Sequence, residues 1–374
     1  MNKLLTIGIA VYNIKEEYLR SCLKSVTMNR SEDIEIMIID DCSEEYCSEI
    51  CRKYSEADSR IVYIRNEHNI GISAARNMLI EKASGEWLMF VDGDDMLSPN
   101  LGGTVNILKD CRQDLIIFNI KTFSAPEPDF EMEQQDIRAS IIDLKEDEIF
   151  DIAIAALVRR DVKKFRKDGF QLNPGSSLTR AYKREFLKNE RVRFNENLKM
   201  AEDSLFSTTL LLRKPKVAIC TAVAYYYRLN QYSVTHRYDE KSKTITDAYL
   251  KSLGEFVEEE LKNNREVAEE FKKYRCAYAI IDNFELNIFH KDNPKGYSQR
   301  KTDFLNLLNS TPYHAAIESV KPKTYSAHVV RLIIGLAKKR WFFMLNVCYK
   351  HNILFRLYGG TARRISDLKR RLKQ

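Results

Sequence analysis

Long apolar runs are missing from this 374-residue chain. Its longest uncharged apolar stretches, Val217–Tyr227 and Trp341–Tyr349, fall short of the ~20 residues that a membrane-spanning helix needs. Leu4–Tyr12 is apolar, but Asn13 and Lys15 follow it without a cleavage site, so no secretory signal is expected. Paired cysteines are missing too. Among the eight Cys, only Cys47 and Cys51 stand one helical turn apart, and no second ligand pair accompanies them. Free thiols in a reducing cytoplasm are therefore expected, rather than disulfides or zinc. There is no internal repeat, no low-complexity segment and no nucleic-acid-binding motif. The segment after the first apolar run, Asn13-Ile14-Lys15-Glu16, is not the Gly-rich phosphate loop that a nucleotidyltransferase would want.

The chain is 44% hydrophobic and 30% charged, enough for a sizeable core and two or three structural units. Its net charge of +7 is uneven. Residues 311–374 hold 14 Lys/Arg against 2 Asp/Glu, which leaves residues 1–310 at −5. A mildly acidic body with a strongly basic end points to contact with an anionic surface.

The first hundred residues alternate between two periods. Apolar β-rich runs at Leu4–Val11, Ile34–Ile39, Ile61–Arg65 and Trp87–Val91 are expected strands. Glu16–Met28, Glu44–Tyr54 and Ser73–Ala83 are expected helices between them. Such alternation implies a parallel sheet with right-handed crossovers, whose ligands bind at the carboxyl ends of the strands. Tyr12-Asn13, Asp40-Asp41 and Asp92-Gly93-Asp94-Asp95 all fall there. Further strands are expected at Leu115–Phe123 and Val217–Arg228, and helices at Ile149–Arg159 and Phe206–Arg213. Leu172-Asn173-Pro174-Gly175-Ser176-Ser177 reads as a small-residue turn. Residues 241–310 read as helical and charged, and 311–374 as apolar and cationic at helical spacing.

Three carboxylates at the end of a buried strand hold negative charge in a crevice, and a divalent cation with hard oxygen ligands would neutralise it. Aspartates are also common in turns, so the cluster alone decides little. Gly71 allows an unusual backbone turn, Ser73 can cap the helix behind it, and a helix start there favours anionic phosphate. Arg76 lies within the first turns of that helix, where it can pair with a phosphate or with Asp92. Glu202-Asp203 opens another helix, either as a carboxylate that removes a proton or as a cap with a favourable dipole charge.

Taken together, Ala10-Val11-Tyr12-Asn13, Asp40-Asp41-Cys42-Ser43, Asn69 through Asn77 and Asp92-Gly93-Asp94-Asp95 resemble, in order and spacing, the nucleotide-sugar half of the family 2 glycosyltransferases. The likeness is dense over residues 4–100. It resumes at Phe194, at Glu202-Asp203 and at Tyr227 through Thr235. Where the family often has Pro before Val-Tyr-Asn, this chain has Ala10. The resemblance implies a GT-A fold: a mixed α/β sheet flanked by helices, with a nucleotide-sugar half at 1–105 and an acceptor half at 106–240. A helical region at 241–310 and a basic amphipathic region at 311–374 would follow.

It also implies roles. Ala10 and Val11 would supply backbone and Tyr12 a flat contact for uracil. Asp41, or else Asp40, would accept from its N3–H, the other serving only as a cap. Asn69, Arg76, Asp92 and Gly93 would line the nucleotide-sugar site. Asp94 would bind Mn²⁺ or Mg²⁺, with Asp92 contacting ribose or the metal through water, and Asp95 would orient the loop. Arg228 and His236 would close over the diphosphate, and His236 is a further candidate metal ligand. Asp203 would be the catalytic base, with Glu202 positioning the acceptor or the base; a single base opposite the leaving group implies inversion, and the donor implied is a UDP-sugar.

The acceptor expected from the family is a cell-surface polysaccharide or a lipid-linked glycan. Trp341, Phe342, Phe343 and Leu345 stand beside Lys338-Lys339-Arg340, with Arg363-Arg364 and Lys369-Arg370-Arg371 beyond. That pattern suits a helix on anionic lipid at the cytoplasmic face, or else a helix packed on the body or a contact in a homo-oligomer. A sugar- or lipid-binding module that kept the fold without turnover is the other reading. The intact Asp92, Asp94, Glu202 and Asp203 argue against it.

Overall fold

The structure is a computed structural model, and it describes residues 3–29, 31–98, 101–124, 140–160, 162, 170, 172–229, 237–322, 325, 327–351 and 353. Strands β1 (Leu5–Val11) and β2 (Ile34–Asp40) are mostly apolar, and every residue of both is buried. A strand covered on both faces needs that composition. With β3 (Ile61–Arg65) and β4 (Trp87–Asp92) they form a parallel sheet in the order β3-β2-β1-β4. Helices α1 (Glu16–Thr27), α2 (Glu45–Ala57) and α3 (Ile72–Lys82) make the connections. The order reverses at β1, so the carboxyl ends of β1 and β4 flank a topological switch point.

Beyond β4 the sheet becomes mixed. The chain continues through β5 (Met96–Leu97), α4 (Leu101–Lys109), β6 (Leu115–Phe123), β7 (Ile141–Asp143) and α5 (Glu146–Val158). Next come β8 (Arg180–Lys183), α6 (Arg184–Asn189), α7 (Glu202–Leu212) and β9 (Val217–Arg228). β8 lies antiparallel between β4 and β6, β9 runs parallel to β6, and β5 and β7 pair antiparallel with β9. Phe90, Tyr182, Phe194 and Phe206 pack ring against ring, with Phe194 and Phe206 stacked at 3.9 Å. This apolar knot ties β4, β8 and α7 together. The expected mixed sheet followed by a helical region is the architecture found.

The chain divides into two compact units. One comprises Met1–Leu157 and Val162–Asn230; the other comprises Val158–Asp161 and Gln231–Gln374. The second contains α8 (Ser242–Glu260), α9 (Arg265–Glu270), α10 (Cys276–Asn283), α11 (Tyr297–Asn309), α12 (Tyr313–Ser319), α13 (His328–Lys338) and α14 (Phe342–Lys350). Two π-helical stretches, Phe271–Arg275 and Phe284–Ile288, flank α10. Buried Asp282 accepts from Tyr249 Oη at 2.8 Å and from Arg159 at 2.7 Å. Phe284, Phe289, Phe304 and Phe342 form this unit's aromatic core. Among the described residues, no helix is long and apolar enough to cross a membrane. The eight cysteines are free.

Candidate functional site

The loops after β1 and β2 lock onto each other. Asp41 N donates to Val11 O at 2.8 Å, and Asn13 Oδ1 accepts from Glu44 N at 2.8 Å at the start of α2. Asn13 and Cys42 both take left-handed backbone, φ 49° and 61°. Tyr12 stands at this mouth and is 51% exposed.

The two aspartates at the carboxyl end of β2, Asp40 and Asp41, have separate tasks. Asp40 is fully buried, and its oxygens accept from Ser48 and Tyr63 at 2.7 Å and from Ser43 N at 2.9 Å. Burial alone would raise its carboxyl. The three donors outweigh burial and hold it below its usual value. Asp41 turns the other way, accepting from Asn66 Nδ2 at 2.9 Å and from Ile70 N and Gly71 N at 2.8 Å. Asn69 reaches Asp41 O at 3.4 Å. Asp41 thus shapes the approach to α3. Gly71, at φ 86°, makes the turn that backbone with a Cβ rarely adopts. Ser73 does not cap α3: Gly71 occupies the cap, and Ser73 Oγ is buried without a partner among the described residues.

Arg76, 4% exposed, is the hub. One arm donates to Asp92 Oδ1 at 2.8 Å and the other to Asp203 Oδ1 at 2.7 Å. Burial would lower the guanidinium's pKa, but Asp203, Asp92 and Glu202 outweigh it and hold Arg76 firmly charged. The carboxylates of Asp92, Asp94 and Asp95 converge, with one oxygen from each within 4.8 Å of the others. They are not equivalent. Asp95 is buried, and both its oxygens are taken, by Tyr225 Oη and Arg228 N, each at 2.7 Å. Burial, then Asp92 and Asp94, push its carboxyl well above the ordinary range. Asp95 therefore fastens the loop to β9, while Asp92 and Asp94 are half-buried and face the crevice. Gly93 lets that loop approach the end of β1 and the loop after it, since a Cβ there would lie 3.2 Å from Ile14 and 3.5 Å from Ala10 O.

Arg228 lies over the rings of Tyr18 and Phe123, 4.3 and 4.6 Å from their centroids, and its Nε donates to Asp94 O at 2.8 Å. His236 lies outside the described residues. Glu202 and Asp203 open α7, immediately after Ala201 in left-handed backbone at φ 66°. Burial, then the charge of Asp203, push the Glu202 carboxyl up to about 7. Asp203 Oδ1 also accepts from Ser177 Oγ at 2.8 Å.

The structure thus brings Arg76, Asp92, Asp94, Glu202 and Asp203 to one crevice, with Ala10, Val11, Tyr12 and Asp41 at the mouth formed by the loops after β1 and β2. Sequence reasoning missed Ser177, Tyr225 and Arg180. The small-residue turn at 172–177 was the available signal for Ser177; the other two carry none.

Residues 6–189 match the model of glycosyl transferase family 2. EpsH of Bacillus subtilis (strain 168), named as a glycosyltransferase, is 28% identical over 279 residues, 74% of each chain. The glycosyltransferase GlyA of Streptococcus pneumoniae serotype 4 is 37% identical over 124 residues, 33% of this chain but 18% of GlyA. Staphylococcus aureus TarS 1-349, solved in complex with UDP-GlcNAc, is similar in structure at TM-score 0.56 and 17% identity. That likeness covers 93% of this chain and 92% of that one. The match over residues 6–189 makes that segment a family 2 glycosyltransferase domain, and the parallel-to-mixed sheet has the GT-A fold.

Proposed function

We propose that the chain transfers a hexose or N-acetylhexosamine from a UDP-sugar to a hydroxyl of a cell-surface polysaccharide or lipid-linked glycan, inverting the anomeric carbon. The observation that carries this reading is the Arg76 bridge, which holds Asp92 and Asp203 on two arms of one guanidinium. A donor-side carboxylate and a base for the acceptor are thereby spaced by a single side chain. The UDP-GlcNAc complex of TarS supports the UDP-sugar donor.

On this reading uracil stacks on Tyr12, and its N3–H uses the acceptor capacity left on Asp41. The diphosphate lies toward the N-terminus of α3, with Arg228 and His236 closing over it. Asp94 and Asp92 offer hard carboxylate oxygens and fit Mn²⁺ or Mg²⁺, whose charge would offset that developing on the diphosphate. The acceptor oxygen forms its bond to the anomeric carbon as its proton passes to Asp203 Oδ2. The bond from that carbon to the diphosphate breaks, and its electron pair leaves with UDP. A single base opposite the leaving group gives inversion.

The partner surface belongs to the helical unit. Residues 320–353 carry seven Lys/Arg and no Asp/Glu, and Trp341, Phe343 and Met344 are exposed. Of the four apolar residues expected to meet lipid, Phe342 and Leu345 are instead buried, because they form the inward face of α14. An anionic membrane at the cytoplasmic face is the proposed partner for the remaining side. The basic clusters at 363–364 and 369–371 lie outside the described residues.

The deciding experiment is single-turnover transfer by Asp203→Asn beside calorimetric UDP binding. Transfer should fall on the order of a hundredfold or more with binding intact. Near-normal transfer would remove Asp203 as the base.

A further inference from the structure

Asp203 is gripped from two sides, and the second grip belongs to a turn whose own anchoring is unusual. Ser177 is fully buried, and its Oγ donates to the same Oδ1 that Arg76 holds. Four carbonyls of the turn that ends at Ser177, its own included, accept from side chains. Arg180 Nη2 donates to Pro174 O at 2.7 Å and Asn173 O at 3.3 Å, Ser207 Oγ to Ser176 O at 3.2 Å, and Tyr182 Oη to Ser177 O at 2.6 Å. Arg180 Nη1 donates in turn to Ser207 Oγ at 3.1 Å. Gly175 sits against α7, where a Cβ would lie 3.0 Å from Ser204 Oγ. A fully buried guanidinium is costly to keep, and the three hydrogen bonds its Nη atoms donate go to one turn and the helix behind it, while its Nε has no partner among the described residues.

The carboxylate torsion of an aspartate is soft, so one donor does not fix its plane. Arg76 is an imperfect sole anchor, because its other arm follows Asp92, which faces the donor side. Ser177 carries no such link. With both donors on Oδ1, Oδ2 receives none from the described residues and is the atom left to face an acceptor.

We propose that Ser177 is a positioning residue that holds the Asp203 carboxylate in its proton-accepting orientation. This rests on Asp203 being the base. The test compares Ser177→Ala, Asp203→Asn and the double variant in steady-state and single-turnover transfer, with UDP-sugar binding followed by calorimetry. Ser177→Ala should lower kcat about ten- to hundredfold while donor Kd and acceptor KM stay within twofold. Adding Ser177→Ala to Asp203→Asn should cost nothing further, because the group being positioned is already disabled. A merely structural serine would lower both backgrounds by the same factor, and that result overturns the proposal. A kcat for Ser177→Ala within twofold of the parent, with Asp203→Asn impaired, overturns it while leaving the base assignment standing. Full turnover by Asp203→Asn would remove both.

Discussion

Glu202 and Asp203 are adjacent carboxylates in one half-buried crevice, and their surroundings separate them. Asp203 has two donors on one oxygen, whereas Glu202 is left to burial and its neighbour's charge, which push it up to about 7. The folded chain therefore holds that proton more tightly than the unfolded chain, whose carboxyl titrates near 4.5. The stability this proton lends is complete below 4.5 and is lost as pH rises through 7. Glu202→Gln carries no such dependence. Its unfolding temperature relative to the parent should be higher at pH 8 than at pH 5 in thermal melts at the two pH values. An unchanged difference would remove the shift. Asp94 tests the cation site at the same scale. Asp94→Asn should abolish the Mn²⁺-dependent part of UDP binding in calorimetry run with metal and then with EDTA. Retained binding with the parent's metal dependence would take the cation away from Asp94.

At the scale of elements, the approach to α3 depends on one backbone conformation. Gly71 at φ 86° and ψ 159° lies in a region that essentially only glycine occupies. Gly71→Ala should destabilise by about 1–3 kcal/mol in urea unfolding and weaken UDP binding, because Ile70 N and Gly71 N would leave Asp41. The elements legible in the sequence were those with a long period. The four parallel strands and α1 to α3 announce themselves by apolar runs and 3.6-residue spacing, and the carboxylates fall at strand ends as that topology demands. β8 was not legible: four residues reading Arg-Ala-Tyr-Lys look like a surface loop. Its Arg180 is buried against the turn just before it, whose Asn173 and Pro174 carbonyls accept from its Nη2. Tyr225 was equally hidden, since nothing in an apolar strand marks the tyrosine that will bond Asp95 across 130 residues.

At the scale of the whole molecule, a mildly acidic catalytic body is followed by a stretch without an acid from residue 320 to 353. α14 uses one face for its unit's core and leaves Trp341, Phe343 and Met344 exposed, with the Lys339 ammonium 4.8 Å from the Trp341 ring centre. The proposed membrane partner is best probed there by point changes, since removing the helix would also remove the buried Phe342 and Leu345. The full chain should co-sediment with vesicles containing phosphatidylglycerol and not with neutral phosphatidylcholine vesicles. Trp341→Ser with Phe343→Ser should reduce that binding at least tenfold with transfer to a soluble acceptor unchanged. Undiminished binding would move the contact elsewhere, and a change in oligomeric state instead would assign this face to a second copy.

On the proposed function, Asp41 has a consequence for how a nucleotide would be received. Three of its acceptor positions are satisfied by Asn66, Ile70 and Gly71 within the chain itself. The wall beside the base is therefore preorganised, and little of the binding free energy goes into ordering that loop. On that reading discrimination between bases would follow from rigidity: a ring that does not match the acceptor position left open among the described residues would meet a wall with no alternative shape to offer.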